Sequence, residues 1–451
     1  MINMELYTIP FQKQLVIYKP RRHLAFVGND ALARYICDRN NTISTAHNEE
    51  IEKFLHSIGF DNPELECEEV TLGENLPLPT SVALLMTNRC NLRCIYCYAN
   101  AGEEPEVSEI DWPTAQTAID FVLMNASKSN TEVPSITFHG GGEPTCHWEL
   151  MVRAVEYARE RDIRTHLSMS TNGVWTEEQR HFICRHFSNI SLSMDGMAEI
   201  QNHQRPQANG NKTFPAVMES IRAIEAAGID YGIRMTVLEN SVDNLPYSVQ
   251  FICENTTAKA IQIEPTFTSK RGYYSDIKIN FADVFSEKFM DAWRIGRSFG
   301  RQVYYSGARP WVISPIFCLA PLKALVVTAD GRLVTCFELF SKKNHLVEQF
   351  TVGRIHDSRV EYNRQALTAF LKWQKQRKQE CIDCFCYWHC SGDCATRRPG
   401  DRESSQGRCR TTQNITLSLL LTYIEEGKGV WQGLRDASNQ IRTCYEPEFY
   451  G

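Results

Sequence analysis

Residues 81–97 read SVALLMTNRCNLRCIYC: an apolar run, Ser81–Thr87, followed by a C-x3-C-x2-C triplet of Cys90, Cys94 and Cys97. The run predicts a buried strand and the triplet a loop at its C-terminal end. Three thiolates on one short loop hold three corners of a cubane [4Fe–4S] cluster and leave one iron without a protein ligand. The plainer alternative is a structural zinc loop. Zinc in such sites takes four protein ligands, and no fourth stands near the triplet.

Downstream, strand and helix patterns alternate. Strands are predicted at Ser135–His139, His166–Thr171, Ile190–Asp195, Ile229–Leu238 and Ala260–Thr266. Between them lie amphipathic stretches such as Phe214–Ala227, where Phe214, Val217, Met218, Ile221 and Ile224 form a stripe expected to pack into the core. Six strands each followed by a helix imply parallel pairing, because helical crossovers join parallel strands. Six units are fewer than the eight of a closed barrel, so the fold class is α/β with a partial, open (β/α)6 barrel. Such folds carry their chemistry at the C-terminal strand ends. The polar punctuation sits there: the triplet after the first strand, Gly140–Thr145 after the second, Thr171-Asn172-Gly173 after the third and Asp195-Gly196 after the fourth. Within the second, Gly140-Gly141-Gly142-Glu143-Pro144 is a glycine-rich turn that lets backbone approach a ligand closely.

CNLRCIYC at 90–97, GGEP at 141–144, STNG at 170–173 and SMDG at 193–196 together resemble the radical S-adenosylmethionine (radical SAM) superfamily over about residues 81–300. The resemblance implies that Cys90, Cys94 and Cys97 ligate the catalytic [4Fe–4S] cluster and that its open iron chelates SAM. It implies that Gly141, Gly142 and Glu143 contact the methionyl amino end, and that Ser193, Arg205 and Asn172 help to hold SAM. A 5′-deoxyadenosyl radical made there removes a hydrogen atom from an unactivated C–H bond.

The chain carries 17 cysteines, and eleven fall in clusters. Beyond the triplet, Cys318-x12-Gly331-x4-Cys336 precedes Cys381-x2-Cys384-x5-Cys390-x3-Cys394 and a final Cys409. Paired zinc knuckles are one reading of so many thiols. The spacing resembles the SPASM domain of radical SAM peptide and protein modifiers. That resemblance implies two auxiliary [4Fe–4S] clusters, one on Cys381, Cys384, Cys390 and Cys409, the other on Cys318, Cys336 and Cys394 with a fourth position open or filled from elsewhere. Cys386 is extra to the pattern, and three roles are open to it: that fourth ligand, a buried thiol, or a substrate-facing thiol. Sulfatase maturases carry an Asp base directly after the cysteine of the G-x4-C element. Here Phe337 occupies that place and Glu338 follows, leaving Glu338 as the candidate catalytic base or a solvated carboxylate.

Ahead of the barrel, residues 1–80 read as a winged-helix-like module. Leu15–Tyr18 and His23–Val27 flank Lys19-Pro20-Arg21-Arg22 as a hairpin, Asn29 or Asp30 caps a helix to about Cys37, and His47–Ile58 is a second helix. Such a module resembles the precursor-recognition element of peptide-modifying enzymes, which adds a leader segment to a sheet edge; a structural extension is the alternative. The expected domains are therefore 1–80, the barrel at 81–310, and the SPASM domain with a helical tail at 311–451.

Of the 451 residues 43% are apolar and 23% charged, and the net charge is −6. These values suit a folded chain and disfavour nucleic acid as the partner. Neither a membrane span nor a signal peptide is legible, which points to the cytoplasm. The expected function is a radical SAM/SPASM maturase that installs an intramolecular crosslink in a ribosomally made precursor peptide, fed by an electron donor such as a flavodoxin or ferredoxin. The alternatives are a sulfatase-maturase-like oxidase and a non-enzymatic iron–sulfur redox protein.

Overall fold

The computed structural model describes residues 6–40, 48–129, 133–161, 163–340, 346–397 and 405–433. His47 and Cys444 lie outside the described residues. In chain order the strands are β1 (Tyr7–Phe11), β2 (Gln14–Lys19) and β3 (Leu24–Gly28), then β4 (Ser81–Leu85), β5 (Ser135–His139), β6 (His166–Thr171), β7 (Asn189–Ser193), β8 (Asp230–Val237) and β9 (Ala260–Pro265). A short hairpin of β10 (Thr268–Lys270) and β11 (Tyr273–Tyr274) follows, then β12 (Gln302–Tyr304), β13 (Ala324–Val327), β14 (Arg332–Val334), β15 (Thr351–His356), β16 (Arg359–Tyr362) and β17 (Val430–Gln432).

Strands β4 to β9 pair in sequence order, all parallel, as the alternating pattern requires. Their interiors are runs of buried aliphatics, from Val82 to Leu85 on β4 and at Ile261 and Ile263 on β9, because helices cover the outer face. The stripe on the helix Phe214–Ala226 behaves as expected: Val217, Met218, Ile221 and Ile224 are buried. Two further parallel strands flank the six, β12 against β9 and β13 against β4. The expected hairpin around Gly331 is β13–β14, and β15 and β16 extend it antiparallel, so one eleven-stranded sheet runs from β12 to β16. The parallel barrel strands and the antiparallel ribbon that carries Cys336 thus share hydrogen bonds directly.

The N-terminal hairpin is β2–β3, preceded by a strand the sequence reading missed, β1. This sheet has two apolar faces. Ile17 and Phe26 pack against Ala33, Ile36, Leu55 and Phe60 of the segment's own helical part, whereas Val16, Tyr18 and Ala25 join the main core. On its far side the sheet gains β17, which pairs antiparallel with β3 from about 400 residues further along the chain and becomes the edge strand there. Trp431 of β17 stacks on Tyr423 at 5.8 Å and lies 6.2 Å from Tyr18. Among the described residues no helix is long and apolar enough to cross a membrane.

Candidate active site

Strand β4 delivers the chain into a loop whose backbone is fixed from three sides. The Arg93 and Ile95 amides donate to the carbonyls of Pro206 and Gln204 at 2.7 and 2.9 Å. The Arg93 guanidinium returns to the Cys90 and Gly102 carbonyls, and Arg271 holds the Cys94 and Ala101 carbonyls at 2.6 and 2.8 Å. Gly272, at φ +72°, places its amide 2.8 Å from the Cys97 carbonyl in the β10–β11 turn, a left-handed position that suits glycine. Each such bond to a charged donor contributes about 1.5–3 kcal/mol, enough to set the loop before any ligand arrives.

Cys90, Cys94 and Cys97 line a single cleft together with Gly140, Gly141, Gly142, Glu143, Asn172, Ser193 and Arg205. Every catalytic-site residue that the sequence patterns single out for the cluster and for SAM therefore meets at one place. Burial pushes the Cys94 thiol up to about 11 and holds Cys90 well above the ordinary thiol range. A thiolate in such surroundings needs a bound cation to be stable, and iron supplies that charge. The donor set fits a cluster: three thiols on one rigid loop, with no competing carboxylate free beside them. Glu143, a carboxylate that lines the same cleft, is engaged by protein donors on both oxygens. Its Oε1 accepts from Thr171 Oγ1 at 2.8 Å and Thr145 Oγ1 at 3.0 Å, and its Oε2 accepts from the Asn172 amide at 2.8 Å.

Glu143 thus ties the ends of β5 and β6 together, a structural task the sequence reading did not foresee. The glycines have a packing reason as well as a ligand reason. A Cβ on Gly142 would stand 2.0 Å from the Arg89 carbonyl oxygen, and one on Gly141 would stand 2.6 Å from the Phe340 ring. Gly142→Ala is therefore expected to push the thiol loop outward and cost the protein its catalytic cluster, read as lost iron with unchanged circular dichroism. Asn172 turns its amide toward Asn91 Oδ1 at 2.8 Å and lies 3.9 Å from Cys90 Sγ.

Beyond the thiols, Tyr96 donates to Asp195 Oδ2 at 2.6 Å, and Arg205 donates to the Tyr96 hydroxyl at 2.6 Å. Gln204 adds a second donor to Asp195 Oδ2 at 2.8 Å. Arg205 is buried and faces Cys94, Tyr96 and Asp195, whose charges raise its pKa although burial works against it. The rest of the wall includes Tyr98, His139, Arg234, Thr236 and Phe267. His139 accepts the Gly140 amide on Nδ1 at 2.9 Å, so Nε2 carries its proton, and burial lowers it to about 4. This part of the wall was not read from sequence. The available signal was β8, where Gly232, Arg234 and Thr236 alternate with buried Tyr231, Ile233 and Met235 and so put polar side chains on one face.

The auxiliary cysteines separate into two groups. Cys381, Cys384, Cys390 and Cys409 line one small cavity. Cys336 and Cys394 share a neighbour, Thr396 Oγ1, at 3.5 and 3.3 Å, and Cys318 feels the charge of Cys394. Cys386 is buried in the first cavity, beside Cys384, and not with the three-thiol group. Of its three open roles, fourth ligand to Cys318, Cys336 and Cys394 is therefore the one its position opposes. Among the described residues no disulfide joins any of the sixteen cysteines.

Glu338 departs from expectation. Its side chain is 10% exposed, so it is not a solvated carboxylate. Arg397 donates to Oε1 at 2.8 and 3.1 Å and reaches on to Glu264 at 2.9 Å, while Thr396 donates to Oε2 at 3.2 Å. Burial alone would raise its pKa, yet Arg397 and Arg234 hold it below the ordinary carboxylate range. A carboxylate that is ion-paired and hard to protonate is a poor proton acceptor, which opposes the role of catalytic base.

Residues 84–251 match the Radical SAM superfamily. The uncharacterized protein MJ0907 of Methanocaldococcus jannaschii is 30% identical over 172 residues, 38% of this chain and 56% of that one. The cysteine-type anaerobic sulfatase-maturating enzyme of Clostridium perfringens is 21% identical over 335 residues, 70% of this chain and 88% of that one. The sporulation killing factor maturation protein SkfB of Bacillus subtilis is 26% identical over 222 residues, 48% and 50% of the two chains. The chain thus spans about half the length of MJ0907 and of SkfB. In structure it resembles anSMEcpe with bound AdoMet, with a TM-score of 0.60 and 19% identity over 78% of this chain and 95% of that one. It also resembles anSMEcpe with AdoMet and the Cp18Cys peptide, at 0.58 and 20% over 76% and 98%. At these identities the structural likeness is one of fold, and it agrees with the α/β class read from the strand pattern.

Proposed function

Residues 84–251 form a radical SAM domain, and from that premise we propose that this protein is a radical SAM/SPASM maturase acting on a ribosomally made precursor peptide. It installs an intramolecular crosslink, of thioether, carbon–carbon or ether type. The observation that carries this reading is the meeting of Cys90, Cys94 and Cys97 with Gly141, Gly142, Ser193 and Arg205 in one cleft. A non-enzymatic redox protein has no use for that combination. The likeness to SkfB and to sulfatase-maturating enzymes supports a peptide or protein substrate. Phe337, packed 5.5 Å from His139 where sulfatase maturases resemble one another in carrying an acid, favours crosslinking over sulfatase maturation.

When bound, the cluster and SAM supply a radical able to break a C–H bond, and the protein's task is placement and exclusion of side reactions. Arg93 and Arg271 keep the thiol loop rigid. Asn172 sits beside Cys90 Sγ, where an N–H donor tunes a ligating sulfur. The Tyr96–Asp195–Arg205 chain fixes a cation at the thiol side of the cleft, suited to a carboxylate. Tyr98, Phe267 and His139 provide an aromatic lining against which a peptide side chain packs. The two groups of auxiliary cysteines, one of them including Cys336 on the ribbon that continues the barrel sheet, would hold iron–sulfur clusters, which would supply an acceptor for the electron left by bond formation. A flavodoxin or ferredoxin is the proposed electron donor to the cleft.

The N-terminal sheet is the proposed leader site. With β17 on the β3 side, the two edges of this sheet are β1 and β17, and β1, which carries Pro10, is the proposed leader edge. Tyr7 of that strand donates to the Ile382 carbonyl at 3.2 Å, so a leader bound there would lie close to the auxiliary segment.

Anaerobically reconstituted protein given SAM and dithionite should release 5′-deoxyadenosine even without peptide; no release overturns the enzymatic reading. Co-expression with the precursor should yield a peptide lighter by a pair of hydrogens. Cys384→Ala is expected to lower iron content and abolish that mass change while leaving 5′-deoxyadenosine release intact.

A further inference from the structure

Cys318, Cys336 and Cys394 supply three thiolates where a four-iron cluster has four corners. Cys386, the spare thiol, is committed to the other cavity. We propose that Glu338 is the fourth ligand of this cluster, bound through Oε2. The proposal rests on the reading that these three thiols hold iron, and assigns the corner that reading leaves vacant.

Three observations carry it. Glu338 lies on the turn of its own group: its amide donates to Cys336 Sγ at 3.5 Å. Its Oε2 shares a single neighbour with two of the thiols, since Thr396 Oγ1 stands 3.2 Å from Oε2, 3.3 Å from Cys394 Sγ and 3.5 Å from Cys336 Sγ. The third thiol, Cys318, is within electrostatic reach of both Glu338 and Cys394. So Oε2 and two of the thiols stand around one hydroxyl, with the third thiol close enough to feel their charge.

The two oxygens are also differentiated. Oε1 is taken by Arg397, which is itself anchored 2.9 Å from Glu264, so the side chain is locked in place. Among the described residues Oε2 has one donor, and a carboxylate oxygen has lone pairs for two partners. That leaves a directed acceptor beside three thiols. Iron takes oxygen as well as sulfur ligands, and the guanidinium behind the carboxylate offsets the charge of a fourth anionic donor. Glu338 and Arg397 are then a ligand and the residue that positions it, which explains why a carboxylate so poorly suited to proton transfer is buried beside the cleft.

The test uses the full-length reconstituted enzyme saturated with SAM, which closes the open iron of the catalytic cluster. The probe is 13C-labelled cyanide, read by electron–nuclear double resonance on the reduced protein. With all auxiliary irons ligated by the protein, no 13C coupling is expected. Glu338→Ala should open one corner, giving either a 13C coupling or a three-iron signal. A 13C coupling in the unsubstituted, SAM-saturated enzyme overturns the proposal, as does a Glu338→Ala protein with unchanged spectra. Should that variant fail to fold, Mössbauer spectra of the unsubstituted enzyme decide: besides the SAM-bound iron, one further iron with an oxygen-ligated doublet is expected, and its absence overturns the assignment. Iron analysis on the same samples separates the two readings. An enzyme that releases 5′-deoxyadenosine yet lacks this cluster overturns the ligand alone, and one that releases none overturns the parent function.

Discussion

Cys94→Ala is expected to reduce 5′-deoxyadenosine formation to the level of a protein-free control. The reason is geometric as well as chemical. Cys94 is the middle thiol of a loop whose backbone is held by Arg93, Arg271 and the Gln204 and Pro206 carbonyls, none of which involves its sulfur. The loop should therefore keep its shape when the thiol is removed, and no other part of it can swing in to replace the missing ligand. Two thiolates do not hold the cluster that SAM cleavage requires. The expected result is loss of one cluster's worth of iron, loss of any SAM-dependent change in the electron paramagnetic resonance spectrum, and an unaltered unfolding profile of the metal-free protein. Persistent cleavage would remove Cys94 from the ligand set.

Asp393→Asn should have the largest effect on stability. Asp393 and Arg408 are 2% and 1% exposed, and the guanidinium forks onto both carboxylate oxygens at 2.7 and 2.8 Å. Their neighbours in sequence are Cys394 and Cys409, so this one pair joins segments that feed both auxiliary groups. Removing one partner of a buried pair leaves the other charge uncompensated and costs about 3–5 kcal/mol. Asparagine tolerates the left-handed backbone at this position, φ +67°, so the change isolates the charge. The urea midpoint should fall, and iron should be lost on gel filtration. The same pair predicts a pH dependence. Burial alone would raise the Asp393 pKa, but Arg408 outweighs it and holds the group at about 2, below the ordinary 3.8. A depressed carboxylate pKa contributes stability that is complete above the unfolded value and disappears as pH falls toward 2. The variant should lack that loss between about pH 4 and pH 2, when metal-free proteins are compared.

Local patterning made the barrel legible. Strands at Ser135–His139 and His166–Thr171 were bounded to the residue, because each is a short alternation of apolar and polar residues set between turn signals. The catalytic thiols were legible for a related reason: ligands supplied by one loop must be close in sequence. Strands β1 and β17 were not, because each is short and is held by partners rather than by its own pattern. Arg234 was hidden in an alternating strand that reads equally well as half-exposed.

By itself, the sequence determined the order of parallel strands, the thiol triplet at the end of the first, and the glycine turn beside it. These are properties of neighbouring residues, and covalent spacing limits where such residues can go. Only the tertiary structure decided that Cys386 lies with Cys384 and not with Cys336, that the last described strand joins the first sheet, and that Glu338 is gripped by Arg397 and Thr396. Those relations join residues brought together by chain reversals. Burial then sets their charge and partners, and no local periodicity records what a side chain will meet once the chain has folded around it.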